Sequence, residues 1–241
     1  MGRFTDNWIE YWNQDQFWSR NILWKINSEL LLHRASQFLT FKKDDSILDI
    51  GCGSGHIGEL LAPMVESILA VDVAEQFVKL CKQRCMNYSN VSTQLLNDDY
   101  TKLHFLKKQF SLILCVSVVQ YYNNIKEIET LIRSIQKIAL PGAKMLIADL
   151  PLKRGVFGFA WDSLCSFLLS IKEGYTFHLL STAFSRWCWK SVYKSFCKNN
   201  KTLEFSIQDI EELIKRMDLK AKIITKSFSI YANRPSILIQ L

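Results

Sequence analysis

The chain has 241 residues, 49% of them hydrophobic, with only four prolines, which suits one packed α/β domain with an insertion and argues against a disordered chain. Its net charge of +7 is uneven: Lys153, Arg154, Lys172, Arg186, Lys190, Lys194, Lys198 and Lys201, set against Asp162, Glu173 and Glu204, place +5 of it between Leu152 and Phe205. No apolar run reaches the ~20 residues of a membrane span, and seven scattered cysteines without a Cys-x-x-Cys pair read as free thiols of a reducing cytoplasm rather than a disulfide frame or metal set.

The first forty residues read as helices, because "WIEYWNQDQFW" and "NILWKINSELLLHRASQFL" repeat apolar residues at helical spacing. After the polar break "KKDD", strands and helices alternate. "SILDI" is a strand, "HIGELLA" a helix stopped near Pro63, "SILAVDV" a strand, and "AEQFVKLCKQRCMNY" a helix. "VSTQLLN" follows as a third strand, and "FSLILCVSV" is apolar enough to be buried on both faces. "KEIETLIRSIQKIAL" carries one stripe, Ile128, Leu131, Ile132 and Ile135. Pro141-Gly142 is expected to turn the chain into the strand "AKMLIADL". Alternation of this kind implies right-handed crossovers and a parallel, doubly wound sheet. Beyond the basic stretch, Ser206 is the expected cap of "FSIQDIEELIKRMD", with Asp209 three residues on. "AKIITKSFSIY" and "SILIQL" then read as strands joined by "ANRP", a link too short for anything but an antiparallel pair.

Four of the nine glycines, Gly51, Gly53, Gly55 and Gly58, lie in "DIGCGSGHIG" between the first strand and its helix. A glycine-rich turn at a helix start lets a ligand touch the backbone. Gly53, Gly55 and Gly58 satisfy the spacing G-x-G-x-x-G, but Asp49 at the strand end would face a pyrophosphate badly. It suits a ligand that carries an ammonium and a sulfonium. Asp72, at the end of the second strand, can accept both hydroxyls of a ribose. Asp98 or Asp99, at the end of the third, can take the exocyclic amine of adenine.

These motifs resemble those of the class I S-adenosylmethionine-dependent methyltransferases, closely over residues 40 to 151. "LDIGCGSG" is similar to the family's first motif, "AVDV" to its second, "NDDYTKLHF" to the adenine segment and "FSLILCVSVVQYY" to the fourth-strand motif. The resemblance implies a Rossmann-like, doubly wound, seven-stranded α/β sheet whose last strand is antiparallel. It implies S-adenosylmethionine as cofactor, with Asp49 near its amino end, Gly51, Gly53 and Gly55 along its methionine part, Asp72 at the ribose and Asp99 at the adenine amine, in competition with Asp98. Cys52, Val73, Tyr100 and Val116 complete that set. The single domain, residues 1–241, would carry a helical N-terminal cover, 1–40, and a helical substrate cap, 152–205.

The acceptor is less legible. Asn-Pro-Pro-Tyr and Asp-Pro-Pro-Tyr, the fourth-strand motifs of amide or base nitrogen methylation, are absent. No carboxylate cluster stands there to hold a catechol-type metal. A small-molecule, apolar or lipid-like acceptor is therefore expected, with RNA or other nucleic acid, or cofactor binding without catalysis, as alternatives. His178 is the candidate general base, and Tyr121, Tyr122 and Tyr175 are candidates for the acceptor pocket. The basic cap suggests a cytoplasmic protein in peripheral contact with anionic membrane.

Overall fold

The computed structural model of the chain describes residues 6–13, 22–96, 100–153, 156–177, 180 and 202–241. Its strands are β1 Ser46–Ile50, β2 Ser67–Asp72, β3 Val91–Leu95, β4 Phe110–Val116, β5 Ala139–Ala148, β6 Lys220–Ile224 and β7 Ser236–Gln240. They form one seven-stranded sheet in the order β3-β2-β1-β4-β5-β7-β6. The first five run parallel, with Asp49 of β1 opposite both Ala70 and Leu114. Strand β7 enters antiparallel between β5 and β6, so the expected doubly wound sheet with a reversed last strand is what forms. The strand order reverses between β1 and β4, which opens a crevice beyond their carboxyl ends.

The helices are α1 Asp6–Asn13, α2 Ile22–Ala35, α3 His56–Leu61, α4 Glu75–Arg84, α5 Ile125–Gln136, α6 Val156–Lys172 and α7 Ile207–Arg216. Period-two alternation sends Leu48, Ile50, Leu69 and Val71 to one face, with α5 and α7, and Ile47, Ile68, Leu112 and Leu114 to the other, with α2 and α3. The α5 stripe, Ile128, Leu131, Ile132 and Ile135, is wholly buried. Helix α7 starts with a capping box: Asp209 N–H donates to Ser206 Oγ at 3.0 Å and Ser206 N–H to Asp209 Oδ2 at 2.7 Å. Cys52, Cys81, Cys85, Cys115 and Cys165 are free thiols. Among the described residues no helix is long and apolar enough to cross a membrane.

Two expectations need correction. Pro141-Gly142 is not a turn before β5 but lies within it. There the ladder slips from Phe110 opposite Ala139 to Leu112 opposite Lys144, and Gly142, at φ 78°, absorbs the excursion. Strand β6 ends at Ile224, so its link to β7 spans 225–235 rather than "ANRP" alone. A strand-like pattern fails there because buried Arg34 of α2 claims the backbone. Its Nη1 donates to Ser229 O at 2.8 Å and Ser227 O at 3.3 Å, and its Nη2 to Glu173 Oε1 at 3.3 Å.

Candidate functional site

The loop after β1 is built by backbone bonds to β2: the N–H groups of Gly51 and Cys52 both donate to Val71 O. Gly51, Gly53 and Gly55 all have positive φ, which only glycine adopts without strain. Their surroundings differ. A Cβ on Gly51 would stand 2.2 Å from Val118 Cγ2, and one on Gly55 would stand 2.8 Å from the Cys81 Cα of α4. These two glycines are required by the protein's own packing. Gly53 has nothing within 4 Å of its Cβ position and faces open space.

Asp72 reinforces this loop from below. Its Oδ2 accepts from Gly53 N–H at 3.0 Å and its Oδ1 from Ala74 N–H at 2.9 Å, while Val73 N–H donates to the Tyr100 hydroxyl at 3.3 Å. A carboxylate offers about four acceptor positions, so both oxygens keep capacity for a pair of hydroxyls. Burial pushes Asp72 up to about 6, against the pull of the Ala74 and Gly53 hydrogen bonds. Asp49 is less compensated. It is 1% exposed, and its Oδ2 is buried with no hydrogen-bond partner. Burial first, then repulsion from Asp72, raises it to about 7. Two adjoining acids that ionise reluctantly, one partnerless, make a pocket suited to a cation.

Helix α1 roofs this edge of the sheet. Trp8 packs on Tyr121 with ring centroids 4.7 Å apart, Trp12 on Tyr121 at 5.8 Å and on Phe77 of α4 at 5.4 Å. Gln76 N–H donates to Asn13 Oδ1. The roof thus rests on the elements that follow β2 and β4.

Sequence reasoning missed a second polar group at this edge. Ser117 Oγ, just past β4, donates to Oδ2 of Asp149, just past β5. Both residues hold left-handed backbone, at φ 56° and 66°, as does Asn233 in the loop before β7 at φ 57°. Strain of this kind concentrates at functional sites. Asp149 is 5% exposed and its Oδ1 has no partner. Gln120 extends the group, donating through Nε2 to Ser117 O and accepting from Arg234 Nη1. The available signal was positional: Asp149 repeats, on the fifth strand, the strand-end acid of the first and second. His56 was missed as well. Burial, with Arg84 and Lys25, pushes its imidazole down to about 4, and neither ring nitrogen has a hydrogen-bond partner. Its 3.9 Å approach to Glu59 is therefore not an ion pair at neutral pH.

Of the cofactor residues read from sequence, Asp49, Gly51, Cys52, Gly53, Gly55, Asp72, Val73 and Tyr100 lie in or against this loop, and Val116 ends the neighbouring β4. Asp98, Asp99 and His178 lie outside the described residues. Tyr121 underlies the roof, and Tyr122 is buried in the core cluster beside it. Tyr175 sits elsewhere, in a small cluster with Leu23 and Ile230. Among the described residues no three metal-ligating side chains come together.

Residues 47–142 match the model of the family described as a methyltransferase domain. Nodulation protein S of Bradyrhizobium diazoefficiens is 26% identical over 147 residues, 59% of this chain and 64% of that one. Demethylmenaquinone methyltransferase of Tropheryma whipplei is 23% identical over 115 residues, 48% of this chain and 46% of that one. The chain thus covers less than two thirds of the length of these relatives. Among solved structures, the N-methyltransferase NodS of Bradyrhizobium japonicum WM9, in complex with S-adenosyl-L-homocysteine, shares the fold with a TM-score of 0.58 and 16% identity, over 100% of this chain and 98% of that one. Residues 47–142 are thus similar to a methyltransferase domain, and the chain shares its fold with a protein solved with S-adenosyl-L-homocysteine, the demethylated form of the cofactor S-adenosylmethionine. The residues present fit that cofactor: a partnerless acid for a cationic group, open space at Gly53, and a carboxylate with spare acceptor capacity at the end of β2.

Proposed function

We propose that the protein transfers a methyl group from S-adenosylmethionine to a small-molecule, apolar or lipid-like acceptor. The observation that carries this reading is the partnerless, buried Asp49 beside the open face of Gly53. When bound, the cofactor supplies an electrophilic methyl on sulfur. Asp49 holds its cationic part, Asp72 its ribose, and the Trp8–Trp12–Tyr121 roof excludes water and lines the acceptor pocket with apolar surface. On the acceptor side, the Ser117–Asp149 pair presents Asp149 Oδ1 to the acceptor's N–H or O–H and receives its proton as the methyl bond forms. In this reading residues 1–40 and 152–205 supply the covers of the site. A relative named as demethylmenaquinone methyltransferase supports a small-molecule, apolar acceptor.

The test is calorimetric titration followed by a label screen. Asp72→Ala should weaken S-adenosylmethionine binding about tenfold or more, through loss of charged hydrogen bonds of roughly 1.5–3 kcal/mol. Label from methyl-labelled cofactor should pass to solvent-extractable small molecules. Transfer to RNA would refute the acceptor class, and equal affinities would refute the ribose assignment.

A further inference from the structure

Strand β7 runs antiparallel to its neighbours, so the loop that enters it, 225–235, arrives at the carboxyl ends of β4 and β5, where the crevice opens. Leu150 N–H, just past β5, donates to Pro235 O at 3.1 Å and closes that junction. Helix α6 holds the loop from its other side: Ala232 N–H donates to Ser166 Oγ at 2.9 Å, and Asn233 Nδ2 donates to Asp162 Oδ1. Asn233, at φ 57°, takes the left-handed conformation that asparagine tolerates better than most residues, and the backbone turns there just before Arg234. Two contacts then fix the Arg234 guanidinium. Its Nη1 donates to Gln120 Oε1 at 3.2 Å, and its Cζ stands 5.5 Å over the Tyr231 ring. Gln120 is itself tied down, because its backbone O accepts from Leu203 N–H at 2.7 Å and its Nε2 donates to Ser117 O at 3.3 Å.

A guanidinium stays charged at any ordinary pH, and a charge drawn out of water is ordinarily paired. The other buried or half-buried arginines among the described residues obey this. Arg34 faces Glu173 at 3.3 Å, and Arg84 faces Glu59 at 3.4 Å. Arg234 is half-buried too, yet it meets the neutral amide of Gln120, and no carboxylate among the described residues pairs with it. With Nη1 on Gln120, its Nε and Nη2 form a side-on pair of donors, the fork that grips two oxygens of one carboxylate or phosphate. We infer that Arg234 binds an oxyanion, a carboxylate or a phosphate, carried by the methyl acceptor. The inference rests on the methyl-transfer reading and narrows its acceptor to an apolar molecule with an anionic end. The anionic group is not the one methylated. Gln120 and Ser117 stand between Arg234 and Asp149 in one hydrogen-bonded series, which sets the end that holds the oxyanion apart from the acid that faces the reacting atom.

The experiment is calorimetric titration of the full chain, saturated with S-adenosylhomocysteine, with octanoate, octyl phosphate, octanol and acetate. The wild type should bind octanoate or octyl phosphate at least about tenfold more tightly than octanol, the better anion telling carboxylate from phosphate. R234Q should abolish that preference while its affinities for octanol and S-adenosylhomocysteine stay within about twofold, which also shows that the variant folds. R234K keeps the charge but not the side-on fork, and should retain only part of the preference. Equal affinity of the wild type for anion and alcohol overturns the inference. So does an R234Q variant that keeps the preference, or a wild type that binds neither anion. Acetate that binds as tightly as octanoate, with R234Q abolishing both, upholds the role of Arg234 and refutes the apolar acceptor instead.

Discussion

Replacing Asp49 with asparagine should stabilise the protein at neutral pH while removing its affinity for a cationic ligand. The carboxyl rises from 3.8 in the unfolded chain to about 7 in the folded one, because burial, and then Asp72, oppose its charge. Between those limits the folded state binds more protons than the unfolded state, so stability is greatest in acid and falls as pH rises through about 7. The full window is worth about 4 kcal/mol, and the part between about pH 5 and pH 8 about 3 kcal/mol. Asp72, raised to about 6, adds about 1 kcal/mol to the same fall. Asparagine keeps the shape and cannot ionise. Its buried amide, left partly unpaired, costs about 1–3 kcal/mol in return. The net gain at pH about 8 is therefore about 1–3 kcal/mol, turning into a loss of about 1–3 kcal/mol in strong acid, where Asp49 is protonated in both states. Urea unfolding of both proteins without ligand, at pH about 5 and about 8, reads this as a change in midpoint at constant slope. Wild type should lose about 4 kcal/mol across that interval and the variant about 1. Parallel losses would refute the account of Asp49 as an unpaired buried charge.

Glycine substitutions should separate packing from binding. Gly55→Ala, with its new Cβ against the α4 backbone and φ 83°, should cost about 2–4 kcal/mol in urea unfolding. Gly53→Ala meets no neighbour and should cost only about 1–2 kcal/mol of backbone strain, while S-adenosylhomocysteine affinity drops sharply as the methyl takes the open space. Asp149→Asn should leave S-adenosylhomocysteine affinity unchanged but reduce turnover about 10²-fold or more on whichever acceptor the label screen identifies. An unchanged rate would remove Asp149 from the acceptor side. Ser206→Ala should lose about 1 kcal/mol through the cap of α7, again read from unfolding.

The sheet was readable from sequence because its signals are local and agree with one another. Short apolar runs, strand-end acids and the Ser206–Asp209 cap each specify geometry within a few residues. The glycine loop was readable as a loop, yet its division of labour was not. That Gly55 answers to Cys81 and Gly51 to Val118 depends on which elements the fold brings alongside, and no spacing encodes it. Ser117 and Asp149 were overlooked for the same reason. Thirty-two residues separate them, and only the β4–β5 register makes them partners. Strand β6 was read too long because the Ser227–Ser229 carbonyls find Arg34, a residue from the other end of the chain. The inner face of α6 depends on the fold as well, since only the fold brings Asp162 to Asn233 and Ser166 to Ala232.

Arg34 also sets an order in time. It reaches 139 residues along the chain to Glu173 and 195 to Ser229, and contacts that distant close late in folding. During synthesis, helix α2 can form early but must wait, its guanidinium unanchored, until residues 173 to 229 have left the ribosome. Strand β7 waits with it, because its place between β5 and β6 is filled only after β6 has itself been made. A nascent chain of this protein therefore exposes the edge of β5 from its own synthesis until residues 236–240 follow, an interval in which chaperone protection matters.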